Sequence, residues 1–171
     1  MEPGQDREIA ALTLHFYVHI FFGVIMKGKF IDIALEEAKK AYNLNEVPVG
    51  AVIVQNGQVI AKSHNLKRNT NNVMNHAEIM CINEAIRQIG DWRLNDCEMY
   101  VTLEPCPMCA GALVQSRIKK IYIGSESNIK SNTEVIKSIL QNSEYNHFVE
   151  IEYLNNKGCS QILTDFFSNK R

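Results

Sequence analysis

A histidine, a glutamate two residues on, and a Cys-x-x-Cys pair thirty positions after the histidine constrain this 171-residue chain more than any other feature. They lie in Asn75-His76-Ala77-Glu78 and in Pro105-Cys106-Pro107-Met108-Cys109. One imidazole and two thiolates are three ligands for a tetrahedral zinc ion, the count that leaves a fourth position for water; a closed structural site wants a fourth protein ligand. Glu78 is the kind of group that takes a proton from that water and hands it on. The chain must therefore fold so that two distant segments meet at one point.

Local geometry permits this only if both motifs open helices. Residues i and i+2 in mid-helix point to roughly opposite sides, so His76 and Glu78 cannot share a lateral face, but both can reach a metal lying off a helix end. Asn75 is a good N-cap, which puts His76 at the first helical position of a helix running to about Ile89 and closing near Gly90. Pro107 suits a first turn, so a helix from Pro107 to about Ser116 places Cys106 at its cap and Cys109 within the first turn. Two positive helix ends then face one place and favour thiolate over thiol. Taken singly the residues have duller readings. Cys-x-x-Cys occurs in redox motifs and structural zinc sites, and Asn75 with Glu78 could be a capping box. The joint order, His-x-Glu followed by Pro-Cys-x-x-Cys, is the signature of zinc deaminases acting on nucleobases.

At these residues the sequence resembles the cytidine deaminase superfamily and, within it, the bacterial tRNA-specific adenosine deaminases. Val47-Pro48-Val49-Gly50-Ala51-Val52, Tyr100-Val101-Thr102-Leu103-Glu104 before the cysteines, Ala110-Gly111-Ala112-Leu113 after them, and Asp165-Phe166-Phe167 carry the likeness further. It covers roughly Phe30 to Phe167. The resemblance implies a cytidine deaminase-like α/β fold, a three-layer α/β/α sandwich with a mixed five-stranded sheet, acting as a homodimer on the wobble adenosine of a tRNA anticodon stem-loop. It implies zinc on His76, Cys106 and Cys109, Glu78 as the catalytic proton carrier, Asn65 on the target base, and RNA contacts from Phe166 and Phe167. Ser127 falls where the family carries an RNA-contacting aspartate, so the pattern is lost after Gly124.

The remaining composition suits one domain. With 46% hydrophobic residues the chain can bury a sizeable core. Five cysteines, two of them claimed by metal, leave Cys81, Cys97 and Cys159 with no pairing scheme and point to a reducing cytoplasm. Cys81 reads as a small core residue; Cys97 and Cys159, among polar neighbours, receive no role. A net charge of −1 announces no nucleic-acid binder, so any RNA footprint is local. Candidate patches are Lys62, Lys67 and Arg68, then Arg117, Lys119 and Lys120, and Lys170-Arg171. Residues 1–25 read as an extension of unclear role before a single deaminase domain over 26–171. Their apolar run, Ala11 to Ile25, is too short for a comfortable membrane span, no membrane association is expected, and His15 and His19 read as incidental.

Taken in order, Phe30 to Tyr42 is an amphipathic helix. Val49–Val54 and Gln58–Ala61 flank Asn56-Gly57, a hairpin turn signal, and His64, without a role, and Asn65 follow the second strand. Trp92 reads as half-buried packing in a loop. Met99–Leu103 and Lys119–Gly124 enclose the cysteine helix, a strand-helix-strand unit that favours parallel pairing. Thr133–Leu140 is a helix, Phe148–Leu154 the fifth strand, and Gly158 to about Asn169 the last helix. Three rival functions remain at this level: a deaminase of free guanine, cytosine or a nucleoside; a non-catalytic RNA-binding protein stapled by zinc; and a thiol redox protein using Cys106 and Cys109.

Overall fold

The computed structural model describes residues 25–127 and 132–170. The apolar run with His15 and His19 lies, Ile25 apart, outside the described residues, as do 128–131 and Arg171. Helix α1 (25–43) is followed by the hairpin β1 (Gly50–Gln55) and β2 (Gln58–His64) and by α2 (Ala77–Ile89). Then come β3 (Cys97–Val101), α3 (Pro107–Gln115), β4 (Lys120–Ile123), α4 (Asn132–Leu140), β5 (Glu150–Tyr153) and α5 (Lys157–Ser168). The strands form one sheet in the order β2-β1-β3-β4-β5. β1 pairs antiparallel with β2 and β3, while β3–β4 and β4–β5 are parallel, as the strand-helix-strand reading expects. The expected mixed sandwich is the observed fold.

Alternation along the strands sorts the core into two halves. Ala51, Ile53, Met99, Val101, Ile121 and Ile123 face one side, where they pack with Cys81 and Ala85 of α2, Leu113 of α3 and Ile136 and Leu140 of α4. Val52, Val54, Tyr100 and Tyr122 face the other, against Phe30, Ile31 and Ala34 of α1 and Cys159 of α5. Tyr100 and Tyr122 are register partners and stack with ring centroids 4.3 Å apart, with Phe30 5.2 Å from Tyr100. Burying a side chain such as Phe30 stabilises by about 1.5–3 kcal/mol.

Two glycines shape the β1–β2 hairpin and its packing. Asn56 and Gly57 both take positive φ, 51° and 74°, which is the turn their pair predicts. Gly50 is needed for close approach instead. A Cβ there would lie 2.0 Å from the Ala34 carbonyl oxygen and 2.5 Å from the Ala38 nitrogen, so the backbone of α1 rests directly on β1.

Several boundaries differ from expectation. β2 continues through Lys62, Ser63 and His64 because they pair with Val52, Ala51 and Gly50, and an edge strand tolerates polar residues on its solvated side. β3 begins and ends two residues early: Thr102 leaves the ladder as its hydroxyl accepts from the Gly50 N–H at 3.1 Å. α1 already includes Met26–Lys29, where Lys27 pairs with Glu152 at 2.7 Å. Cys81, Cys97 and Cys159 are all buried and free. Burial pushes the Cys97 and Cys159 thiols up to about 11 and about 12, so they are inert core residues. No helix among the described residues is long and apolar enough to cross a membrane.

Candidate active site

Both metal motifs open helices, and each seats its first ligand at the cap. His76 is the N-cap of α2 in extended conformation (φ −77°, ψ 152°), and Cys106 is the N-cap of α3 (φ −79°, ψ 168°) with Pro107 behind it. The cap assigned to Asn75 is therefore corrected by one residue. Asn75 is engaged in closing the preceding loop: its amide donates to the Thr70 hydroxyl at 2.9 Å and its carbonyl accepts from Leu66 at 3.0 Å. Glu78 consequently stands at the second helical position, and the Asn75–Glu78 capping box does not form.

His76 Nδ1 lies 3.6 Å from the Sγ of Cys106 and 3.6 Å from that of Cys109, and the three ligand atoms fall within 4.8 Å of one another. Bonds of about 2.0 Å to nitrogen and 2.3 Å to sulfur meeting at a tetrahedral angle put those atoms roughly 3.6 Å apart, so donor set and spacing both fit zinc. Among the described residues the group has three members and no fourth. The thiols share one proton. The hydrogen bond from Cys109 holds Cys106 down to about 5, while giving that bond, together with burial, pushes Cys109 far up. Burial likewise raises the Glu78 carboxyl above its ordinary value.

A cavity of about 240 Å³ opens on this group. His76, Glu78 and Cys106 line it, Val47, Val49 and Leu103 supply apolar surface, and Asn65, Lys67 and Glu104 line it as well. It lies below the roughly 300–1,000 Å³ typical of drug-sized ligands, a size suited to one base. Asn65 is 7% exposed, and its Oδ1 is buried with no hydrogen-bond partner among the described residues. The geometry thus gathers His76, Glu78, Cys106, Cys109 and Asn65.

It does not gather the rest. Phe166 is buried against Tyr42 and Phe167, Phe167 is exposed, and neither lines the cavity. Lys62 is drawn to Glu37 at 3.9 Å, Arg117 donates to Asn146 at 2.7 Å, and Lys120 pairs with Glu152 at 2.9 Å. Among the described residues, Lys67 alone of those candidate cations lines the cavity. Trp92 is half-exposed beneath the Arg93 guanidinium, 4.3 Å from its ring.

Sequence reasoning missed two buried carboxylates beside the cavity. Glu46 accepts from Asn65 and Asn69. Glu104 accepts from the Tyr153 hydroxyl at 2.7 Å and from Asn132 at 2.9 Å, and so ties α4 and β5 to the cysteine loop. Their only signal in the sequence is a position next to a motif residue.

Comparison with known proteins agrees with this geometry. The MafB19-like deaminase family model matches residues 26–171. A tRNA-specific adenosine deaminase of Bacillus subtilis is 42% identical over 139 residues, which is 81% of this chain and 86% of that protein. The chain belongs to the tRNA-specific adenosine deaminase family. Its Aquifex aeolicus relative is 41% identical over 145 residues, covering 85% of this chain and 96% of the relative. A solved tRNA:A34 deaminase, 37% identical, superimposes with a TM-score of 0.72 over 80% of this deaminase and 99% of that chain.

Proposed function

We propose that the chain converts the wobble adenosine of a tRNA anticodon to inosine by hydrolytic deamination. The observation that carries the reading is that Glu78 lines one base-sized cavity together with His76 and Cys106, two members of a His-Cys-Cys group with zinc spacing. Family membership directs it to tRNA.

His76 Nδ1 and the thiolates of Cys106 and Cys109 would hold zinc, whose Lewis acidity lowers the pKa of water from 15.7 to about 7. Overall, water adds its oxygen at C6 of adenine, the C6–N bond breaks, and ammonia leaves. Glu78 moves the protons: it takes one from the water and delivers it to the ring nitrogen beside C6, then takes the second from the hydroxyl added at C6 and gives it to the departing amine as the C6–N bond breaks. Asn65 holds the base edge. Val47, Val49 and Leu103 flank the ring, and Lys67 stands where a phosphate of the splayed nucleotide can be met. An anticodon loop presents such a nucleotide with little unstacking.

The same reading takes 26–171 as the deaminase domain and 1–25 as an extension, with Phe166 and Phe167 as the RNA-contacting pair. It includes a homodimer, in which basic patches of two chains adjoin, and a cytoplasmic location suited to five free thiols. The test is to incubate purified protein with an adenosine-containing anticodon stem-loop and with free adenosine, guanine and cytosine. Inosine in the stem-loop is the expected product. Turnover of a free base alone would overturn the tRNA assignment.

A further inference from the structure

Glu46 is fully buried, and the three hydrogen bonds it accepts come from two asparagines. One carboxylate oxygen takes the Asn69 backbone N–H at 2.7 Å and the Asn69 amide at 3.1 Å. The other takes the Asn65 amide nitrogen at 3.3 Å, and the same nitrogen is 3.4 Å from the Val47 carbonyl oxygen. An asparagine amide has a donor end and an acceptor end of nearly equal shape, so something must decide which faces a ligand. Both oxygens of Glu46 are already engaged as acceptors. With Glu46 and the Val47 carbonyl taking the nitrogen of Asn65, Oδ1 is left as the free end of the amide. That oxygen is buried and unpartnered, and it belongs to a residue that lines the cavity.

We propose that Glu46 is a positioning residue that fixes the Asn65 amide so that its oxygen accepts a hydrogen bond from an amino group on the target base. Adenine carries such a donor, the exocyclic amine beside N7. Asn69 holds Glu46 in turn, which extends the support to the loop after β2. The inference rests on the deaminase reading of the cavity and adds a residue that never touches substrate.

A double-mutant cycle on kcat/KM for the stem-loop tests it. Glu46→Gln keeps the shape, but it can satisfy both asparagines only by offering its own N–H to Asn65, which turns that amide over. The expected loss is roughly ten- to a hundredfold, the range of a hydrogen bond to a charged group, with zinc content and unfolding midpoint retained. In an Asn65→Ala background the same change should cost less than about threefold, because nothing is left to orient. Losses that multiply in the double variant would overturn the proposal, as would an unchanged Glu46→Gln enzyme. If Glu46→Gln does not fold, Asn69→Ala enters the same cycle, with a smaller loss that must also vanish beside Asn65→Ala. If the wild type ignores the stem-loop but deaminates a free base, the tRNA reading fails while the cycle, run on that base, still decides the role of Glu46.

Discussion

Replacing Glu78 by glutamine separates a catalytic carboxyl from a structural one, because the two roles predict opposite effects on stability. Glu78 is 4% exposed, and burial raises its carboxyl above the ordinary value, so the folded chain gains nothing from its charge. Glutamine keeps the volume and a polar end without that charge. The unfolding midpoint should therefore hold or rise, and zinc should remain at one per chain by elemental analysis, since His76, Cys106 and Cys109 are untouched. Activity should behave differently. A positioned acid or base contributes about 10²–10⁴-fold, and in the proposed reaction this carboxyl would serve several successive transfers, so a loss near 10⁴-fold, about 5.5 kcal/mol of barrier, is expected in inosine formation under single-turnover conditions. Retention of more than about a tenth of the wild-type rate would refute the proton role. Loss of zinc or of the fold together with activity would make Glu78 a structural residue.

Three further outcomes follow from the same geometry. Gly50→Ala drives a methyl into backbone atoms on both sides and should destabilise by about 3 kcal/mol in urea titration; a change under about 0.5 kcal/mol would mean that α1 can slide. Zinc uptake at pH 7 should release about one proton, that of Cys109, because Cys106 is already thiolate; calorimetry in buffers of different ionisation enthalpy counts it, and two protons would contradict the shared-proton picture. Burial works against the Glu37 charge, but the bonds from Lys40 and His64 outweigh it and hold the carboxyl below its ordinary 4.5. Its contribution is thus present above that value and is lost as pH falls through the lower folded one, so the urea midpoint should drop in acid less steeply in Glu37→Gln than in wild type.

What the sequence makes legible is whatever depends on neighbours within a turn or two. His76, Glu78, Cys106 and Cys109 are short-range patterns at helix starts, Asn56-Gly57 is a turn by itself, and the strands of the core alternate cleanly enough to be placed. Where pairing is one-sided the pattern fades. Lys62-Ser63-His64 looks like loop, yet β1 supplies its ladder and Glu37 holds the His64 ring at 2.9 Å. The first turn of α1 carries two lysines and a glycine, and it is tied down by Glu152 and by Tyr122, 5.3 Å beneath the Lys27 ammonium, both far along the chain. Cys97 and Cys159 have polar sequence neighbours, but alternation and helix phase turn the thiols inward.

The carboxylates behind the site fail for a deeper reason. A glutamate is almost never fully buried unless its partners are supplied, and a single residue carries no mark of whether they are. For Glu46 they come from Asn65 and Asn69, 19 and 23 positions away, and meet it only because β2 delivers Asn65 beside the Val47–Val49 segment, where the Asn65 N–H bonds the Val49 carbonyl at 3.0 Å. A motif can name the groups that touch a base, since chemistry fixes their type. It cannot name the groups that aim them, because any acceptor placed behind Asn65 could do so, and which one does is decided by how strand, loop and helix close on one another.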